Sequence, residues 1–163
     1  MADNANQLLL FDSRGEFLTI GQQLLRQASQ RIQFFGPNID TVLFDNKESL
    51  ALLADFARQS PRRIINILIH SSEQNIVNNH RLLALAQKMT SSIHIHTTAQ
   101  QHKELKQRFL LIDEQAYLYS SNCDRYQGKA NLNDPLEARQ LNQQFNDLWA
   151  YSSADTSLRR LHL

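Results

Sequence analysis

Lys106 and Arg108 stand two residues apart at the head of the apolar run Phe109-Leu110-Leu111-Ile112, which ends on Asp113. A second run, Ala116-Tyr117-Leu118-Tyr119, leads into Ser120 and Ser121, with Cys123 shortly after. On a strand, a two-residue spacing puts Lys106 and Arg108 on one face. Two cations with a hydroxyl nearby have the chemistry to hold one phosphate or sulfate through charge-assisted hydrogen bonds. The planar fork of arginine suits that task particularly well. Asp113 is expected close by, where it would weaken anion binding unless it pairs with a cation. A plainer arrangement has the same pattern: basic residues at the solvated start of one strand and serines ending the next. A buried charge needs a partner, and the sequence shows none.

The order and spacing of these residues resemble the signature of the phospholipase D superfamily, H-x-K-x4-D-x6-G-S-x-N. Asp113 and Ser121 match it. Lys106 stands for the histidine, Arg108 for the lysine, Ser120 for the glycine and Cys123 for the asparagine. In that family the histidine attacks phosphorus and the lysine binds phosphoryl oxygens. A nucleophile must be largely unprotonated and activated by its surroundings, and Lys106 is a poor replacement. The resemblance therefore implies a retained fold and a lost reaction. The expected ligand-binding set is Lys106, Arg108, Asp113, Ser120 and Ser121, with no catalytic residue, metal or cofactor. Active relatives combine two signatures across a pseudo-twofold axis, and this chain carries one, so a homodimer is expected.

His102, four residues before Lys106, offers the alternative: a phosphodiesterase or nuclease with a displaced histidine nucleophile. His94 and His96 alternate on one strand face, but a metal site wants a third ligand with supporting contacts, so exposed strand-face histidines are expected. His70 falls at the carboxyl end of a strand, where ligands gather in open α/β sheets. His70 and His80 are expected to be structural, with His70 the first candidate among the histidines to line a pocket. Cys123, the single cysteine, is expected to pack near the sheet.

The elements that must position these groups alternate along the chain. Ser13 and Glu16 make a capping box for a helix from about 14 to 30, with Phe17, Ile20, Leu24, Leu25 and Ala28 facing inward. Ile32 to Phe35 reads as a strand stopped by Gly36-Pro37. Leu50, Leu53, Ala54 and Ala57 stripe a helix that must end before Pro61. Ile64 to Ile69 is a buried strand, followed by a helix over 73–89 and the strand Ile93 to Thr97. The run 109–112 is a central strand, turning at Asp113-Glu114-Gln115 into 116–119, and 127–131 is one more strand. Asp134-Pro135-Leu136-Glu137 opens a last helix striped by Leu141, Phe145, Leu148 and Trp149. This alternation predicts an α/β layered fold with a largely parallel or mixed sheet. With the resemblance it is expected to be a phospholipase D-like layered fold, a mixed, mostly parallel sheet flanked by helices on both faces.

At 163 residues the chain is expected to form a single domain over 1–163. A net charge of +1 gives no global field toward nucleic acid or anionic membrane, so anion binding must be local. No apolar run approaches the ~20 residues of a membrane helix, and the amino terminus lacks a signal-peptide pattern. A cytoplasmic location is expected. The expected function is a catalytically inactive phospholipase D-like domain acting as a binding or interaction module. Its candidate ligands are a phosphate-bearing molecule, nucleic acid or a protein partner.

Overall fold

The apolar runs become the centre of an eight-stranded sheet in the computed structural model, which describes residues 6–159. The first half comprises β1 (Leu9–Phe11), α1 (Arg14–Gln27), β2 (Arg31–Gly36), α2 (Thr41–Phe44), α3 (Lys47–Arg58), β3 (Ile64–Ile69), α4 (Glu73–Val77) and α5 (Arg81–Lys88). The second comprises β4 (Ile93–Thr97), β5 (Arg108–Ile112), β6 (Ala116–Ser120), β7 (Gly128–Asn131), α6 (Pro135–Ala150), β8 (Ser153–Ala154) and α7 (Thr156–Arg159).

The strand order is β1-β7-β6-β5-β2-β3-β4-β8. The sheet is mixed, as expected, but the expected excess of parallel pairing is not there. Only β2–β3 and β3–β4 are parallel. The other five pairings are antiparallel. The reason is connectivity: parallel neighbours need long crossovers, and only α2–α3 and α4–α5 supply them between adjacent strands. β5, β6 and β7 follow one another by short connections that reverse the chain.

Helices cover both faces. One face packs Ile32, Phe34, Ile65, Ile67, Leu110 and Leu118 against Phe17, Leu24, Leu53 and Leu82 of the helices. The other packs Phe35, Leu68, Phe109, Leu111 and Tyr117 under Leu141, Phe145 and Leu148 of α6. β5 is buried along its whole length because both faces are covered.

Two helices differ from the sequence pattern. α1 stops at Gln27, where Ala28 turns extended. The single helix expected over 73–89 is two, broken where Asn79 takes a positive φ of 53° and His80 caps α5. β1, α2, β8 and α7 were not anticipated; all are four residues or fewer, too short for a periodic pattern.

Candidate functional site

Arg108 opens β5 beside the carboxyl end of β2, since β5 runs antiparallel and pairs Phe109 with Phe35. The side chain is 4% exposed. Its Nε lies 3.5 Å from Asp40 Oδ1, and Asp40 is buried to the same degree. Nη1 donates to the Arg125 carbonyl at 3.2 Å, and Nη2 donates to the Cys123 carbonyl. The guanidinium sits 4.3 Å from the Tyr126 ring centre and 5.3 Å from that of Phe17. Gly36 leaves it room: a Cβ there would stand 2.9 Å from the Phe34 ring and 3.5 Å from Arg108 Cγ.

Asp40 is the hub of this cluster. Its Oδ1 accepts the Tyr126 hydroxyl at 2.8 Å, and its Oδ2 accepts the Leu43 amide at 2.8 Å, capping α2. Burial, and then the Asp40 charge, push the Tyr126 phenol well above its ordinary pKa, so it remains a donor. His80 Nε2 donates to the Asp40 carbonyl at 3.3 Å while Nδ1 accepts the Leu82 amide. Burial lowers the His80 pKa and favours this neutral form.

Over the cluster, at the carboxyl ends of β2 and β3, lies a cavity of about 310 Å3. Asp40, Arg108 and Tyr126 form its floor, and Asn38, Thr41, Gln74 and Asn78 its walls. A second cavity, sharing Tyr126, is lined by Arg14 and Arg125 with Asp12 and Asp124. A third holds Ser121 beside Arg125. Cys123 borders the first cavity, and its amide donates to the Lys106 carbonyl at 2.7 Å.

The residues expected to share a site do not all meet. Lys106 is exposed, with its ammonium 4.0 Å from Asp124. Ser121 is exposed as well. Ser120 lies opposite Arg108 in the β5–β6 register but is fully buried, and its hydroxyl has no partner among the described residues. Asp113 is at the other end of β5, so the expectation that it stands near the cations fails. Its Oδ2 accepts the Ser29 amide and hydroxyl, and its Oδ1 accepts the Gln30 and Arg31 amides. The strand itself separates it from Arg108, at about 3.3 Å per residue. Asp40, Tyr126 and Arg125 are the residues that sequence reasoning missed.

Apart from His80, which bonds the Asp40 carbonyl, the histidines among the described residues sit away from this crevice. His70 does not line the cavity over Arg108. Its ring instead joins Thr98 Oγ1 at 2.7 Å and the Leu105 carbonyl at 2.8 Å, tying strand ends together, and burial lowers its pKa. His96 stacks on Trp149 at 3.9 Å and bonds Ser152. His94 and His96 have no third ligand: among the described residues no group of three or more His, Cys, Asp or Glu is placed to hold a metal. His102 packs near Tyr151, ring centres 6.0 Å apart. No helix among the described residues is long and apolar enough to cross a membrane.

Solved structures share this architecture at low identity. An archaeal chromatin protein, TrmBL2, whose structure shows a novel mode of DNA binding, matches with a TM-score of 0.66 and 10% identity, over 95% of this chain and 56% of that one. Nuc from Salmonella typhimurium, a phospholipase D family member, matches with a TM-score of 0.62 and 16% identity over 92% and 98% of the two chains. NucT from Helicobacter pylori gives 0.61 and 12% over the same shares. The fold is thus that of the phospholipase D family, while this chain spans little more than half of TrmBL2. No curated protein matches. Residues 13–161 match the model of a family described as a domain of unknown function, DUF7931.

Proposed function

The chain belongs to the DUF7931 family, and we propose that it is a catalytically silent phospholipase D-like domain that binds a phosphate-bearing ligand. The observation that carries this reading is the fate of the two signature positions. Lys106, in the nucleophile's place, is a solvated lysine beside Asp124. Arg108, in the phosphate-holding lysine's place, is neutralised by Asp40 and committed to two carbonyls and an aromatic ring. No histidine among the described residues lines the cavity above Arg108.

Anion binding therefore falls to the rim. Arg14 and Arg125 have no carboxylate within ion-pair distance among the described residues, and Lys106 has only the loose contact to Asp124. Ser121 adds a hydroxyl beside Arg125. With Asp12 and Asp124 close by, the local excess of positive charge is small. Affinity for a single phosphate is expected near millimolar, about 4 kcal/mol, and should fall as salt rises. The DNA-binding chromatin protein with this fold favours a nucleic-acid-like source for the phosphate.

The test has two arms. An activated phosphodiester should not be turned over by the purified protein. Thermal melting should rise with phosphate in the parent and respond less in Lys106→Ala/Arg125→Ala. Turnover abolished by His102→Ala would replace this reading with the displaced-histidine enzyme. An equal phosphate response from parent and variant would remove the anion site.

A further inference from the structure

We propose that the cavity above Arg108 is a recognition pocket for the base of a nucleoside phosphate, the phosphate itself lying on the adjoining cationic rim. This rests on the phosphate-binding reading and adds the chemical class of what the phosphate carries. Four polar residues from two separate segments line it: Asn38 and Thr41 after β2, and Gln74 and Asn78 around α4. None of the four makes a side-chain hydrogen bond within the described residues, and Thr41, Gln74 and Asn78 are solvent-exposed, so their polar groups face the open mouth of the cavity. Amides used for structure look different in this chain. Asn75, on the same segment, exchanges two hydrogen bonds with the Ile39 backbone, and Asn46 caps α3.

The electrostatics select a neutral group. The floor holds one cation and one anion, Arg108 and Asp40, in direct contact, so the pocket offers no net charge to a bare anion. Its free groups are three amides, each with donor and acceptor, and one hydroxyl. Such a set complements the mixed donor and acceptor edge of a nucleobase, which single-strand readers address in this way. Pro37 supplies apolar surface for a base face, while the Tyr126 ring is already engaged by the Arg108 and Arg14 guanidiniums. The volume, about 310 Å3, lies at the small end for ligand pockets. Tyr126 is shared with the neighbouring cavity, where Arg14 and Arg125 stand. A ligand reaching across Tyr126 would thus place a neutral ring on one side and an anion on the other.

The experiment titrates the full chain with inorganic phosphate, ribose 5-phosphate, the four nucleoside monophosphates and a short single-stranded oligonucleotide, read by calorimetry. At least one nucleotide or the oligonucleotide should bind tenfold or more tightly than ribose 5-phosphate. Whichever of the two binds tighter identifies the source, free nucleotide or strand. Asn38→Ala/Asn78→Ala should erase that preference while keeping the response to inorganic phosphate. Because both side chains are at the surface of the cavity without internal partners, the variant's melting temperature should match the parent's. Nucleotides binding no better than ribose 5-phosphate, or a preference that survives in the variant, overturns the base pocket and leaves the phosphate reading intact. A chain that ignores inorganic phosphate as well overturns both.

Discussion

Arg108 Nε stands 3.5 Å from Asp40 Oδ1, with the two side chains 4% and 5% exposed. The position that holds phosphate in the resembled signature is therefore internally neutralised. A buried pair gives little net stability relative to apolar replacements, yet removing one partner leaves an uncompensated charge. Asp40→Ala also removes the acceptor of the Tyr126 hydroxyl and the cap of α2. It is expected to cost about 3–5 kcal/mol in urea unfolding. A loss under about 1 kcal/mol, the range of exposed pairs, would show that the cluster is not held together by this ion pair.

Asp113 and Glu114 should respond in opposite directions. Both have positive φ, 57° and 53°, in the tight turn between β5 and β6. Asp113 offsets its conformation with four accepted hydrogen bonds, so Asp113→Ala should destabilise by roughly 2–3 kcal/mol. Glu114 has only an exposed contact with Arg31 at 3.6 Å, worth at most about 1 kcal/mol. Glu114→Gly relieves left-handed strain of about 1–2 kcal/mol, part of which returns as chain entropy. The net gain should be up to about 1 kcal/mol. A destabilising Glu114→Gly would mean that the turn is not strained.

Local signals reached far into this fold. The β-branched run Ile64 to Ile69 and the Asp134-Pro135 start of α6 stand where the sequence puts them. The candidate site was only half legible, for a reason of distance along the chain. Arg108 announces a charge, but its partner Asp40 comes from the loop after β2, and the Tyr126–Asp40 bond joins residues 86 apart. No periodicity encodes such a contact. The break at Asn79 was hidden differently: Ile76, Leu82 and Leu83 continue an apolar rhythm across it. Only the left-handed backbone of an asparagine, a residue that tolerates it, ends α4.

Acid should weaken the fold through its histidines. Burial lowers the pKa of His70, His80 and His96. For a base whose folded pKa is lowered, the unfolded chain binds more protons, so stability rises with pH. The contribution is complete above the unfolded value of about 6.5 and is lost as pH falls below it. His80 is the clearest case, since a second proton would break the bond its Nδ1 accepts from Leu82. The melting temperature should drop between pH 7 and pH 5. His80→Asn, which keeps an acceptor at the helix cap, should flatten the slope. A melting temperature constant across this window would contradict the assignment.

One signature per chain is half of the arrangement that the resemblance implies for active relatives. A C2 homodimer would complete it with a self-complementary interface. Sedimentation at tens of micromolar is expected to give twice the chain mass of 18.9 kDa. A monomer under those conditions would end the proposal.

Lys106→His should not restore hydrolysis. The substitution returns an imidazole to the nucleophile's position, but groups that act as a unit are not rebuilt one at a time. Arg108 would still be held by Asp40 and by the carbonyls of Cys123 and Arg125, leaving its guanidinium committed when phosphoryl oxygens arrive. Asp113, which matches the signature, is bound to Ser29, Gln30 and Arg31 at the far end of β5, so it cannot orient the new ring. Adding Asp40→Asn would free the Arg108 charge only by leaving it buried, at a stability cost of several kcal/mol. Single-turnover assays on an activated phosphodiester should therefore give no covalent phosphohistidine in either variant. Accumulation of that intermediate in Lys106→His alone would mean that the missing histidine was the one obstacle to catalysis.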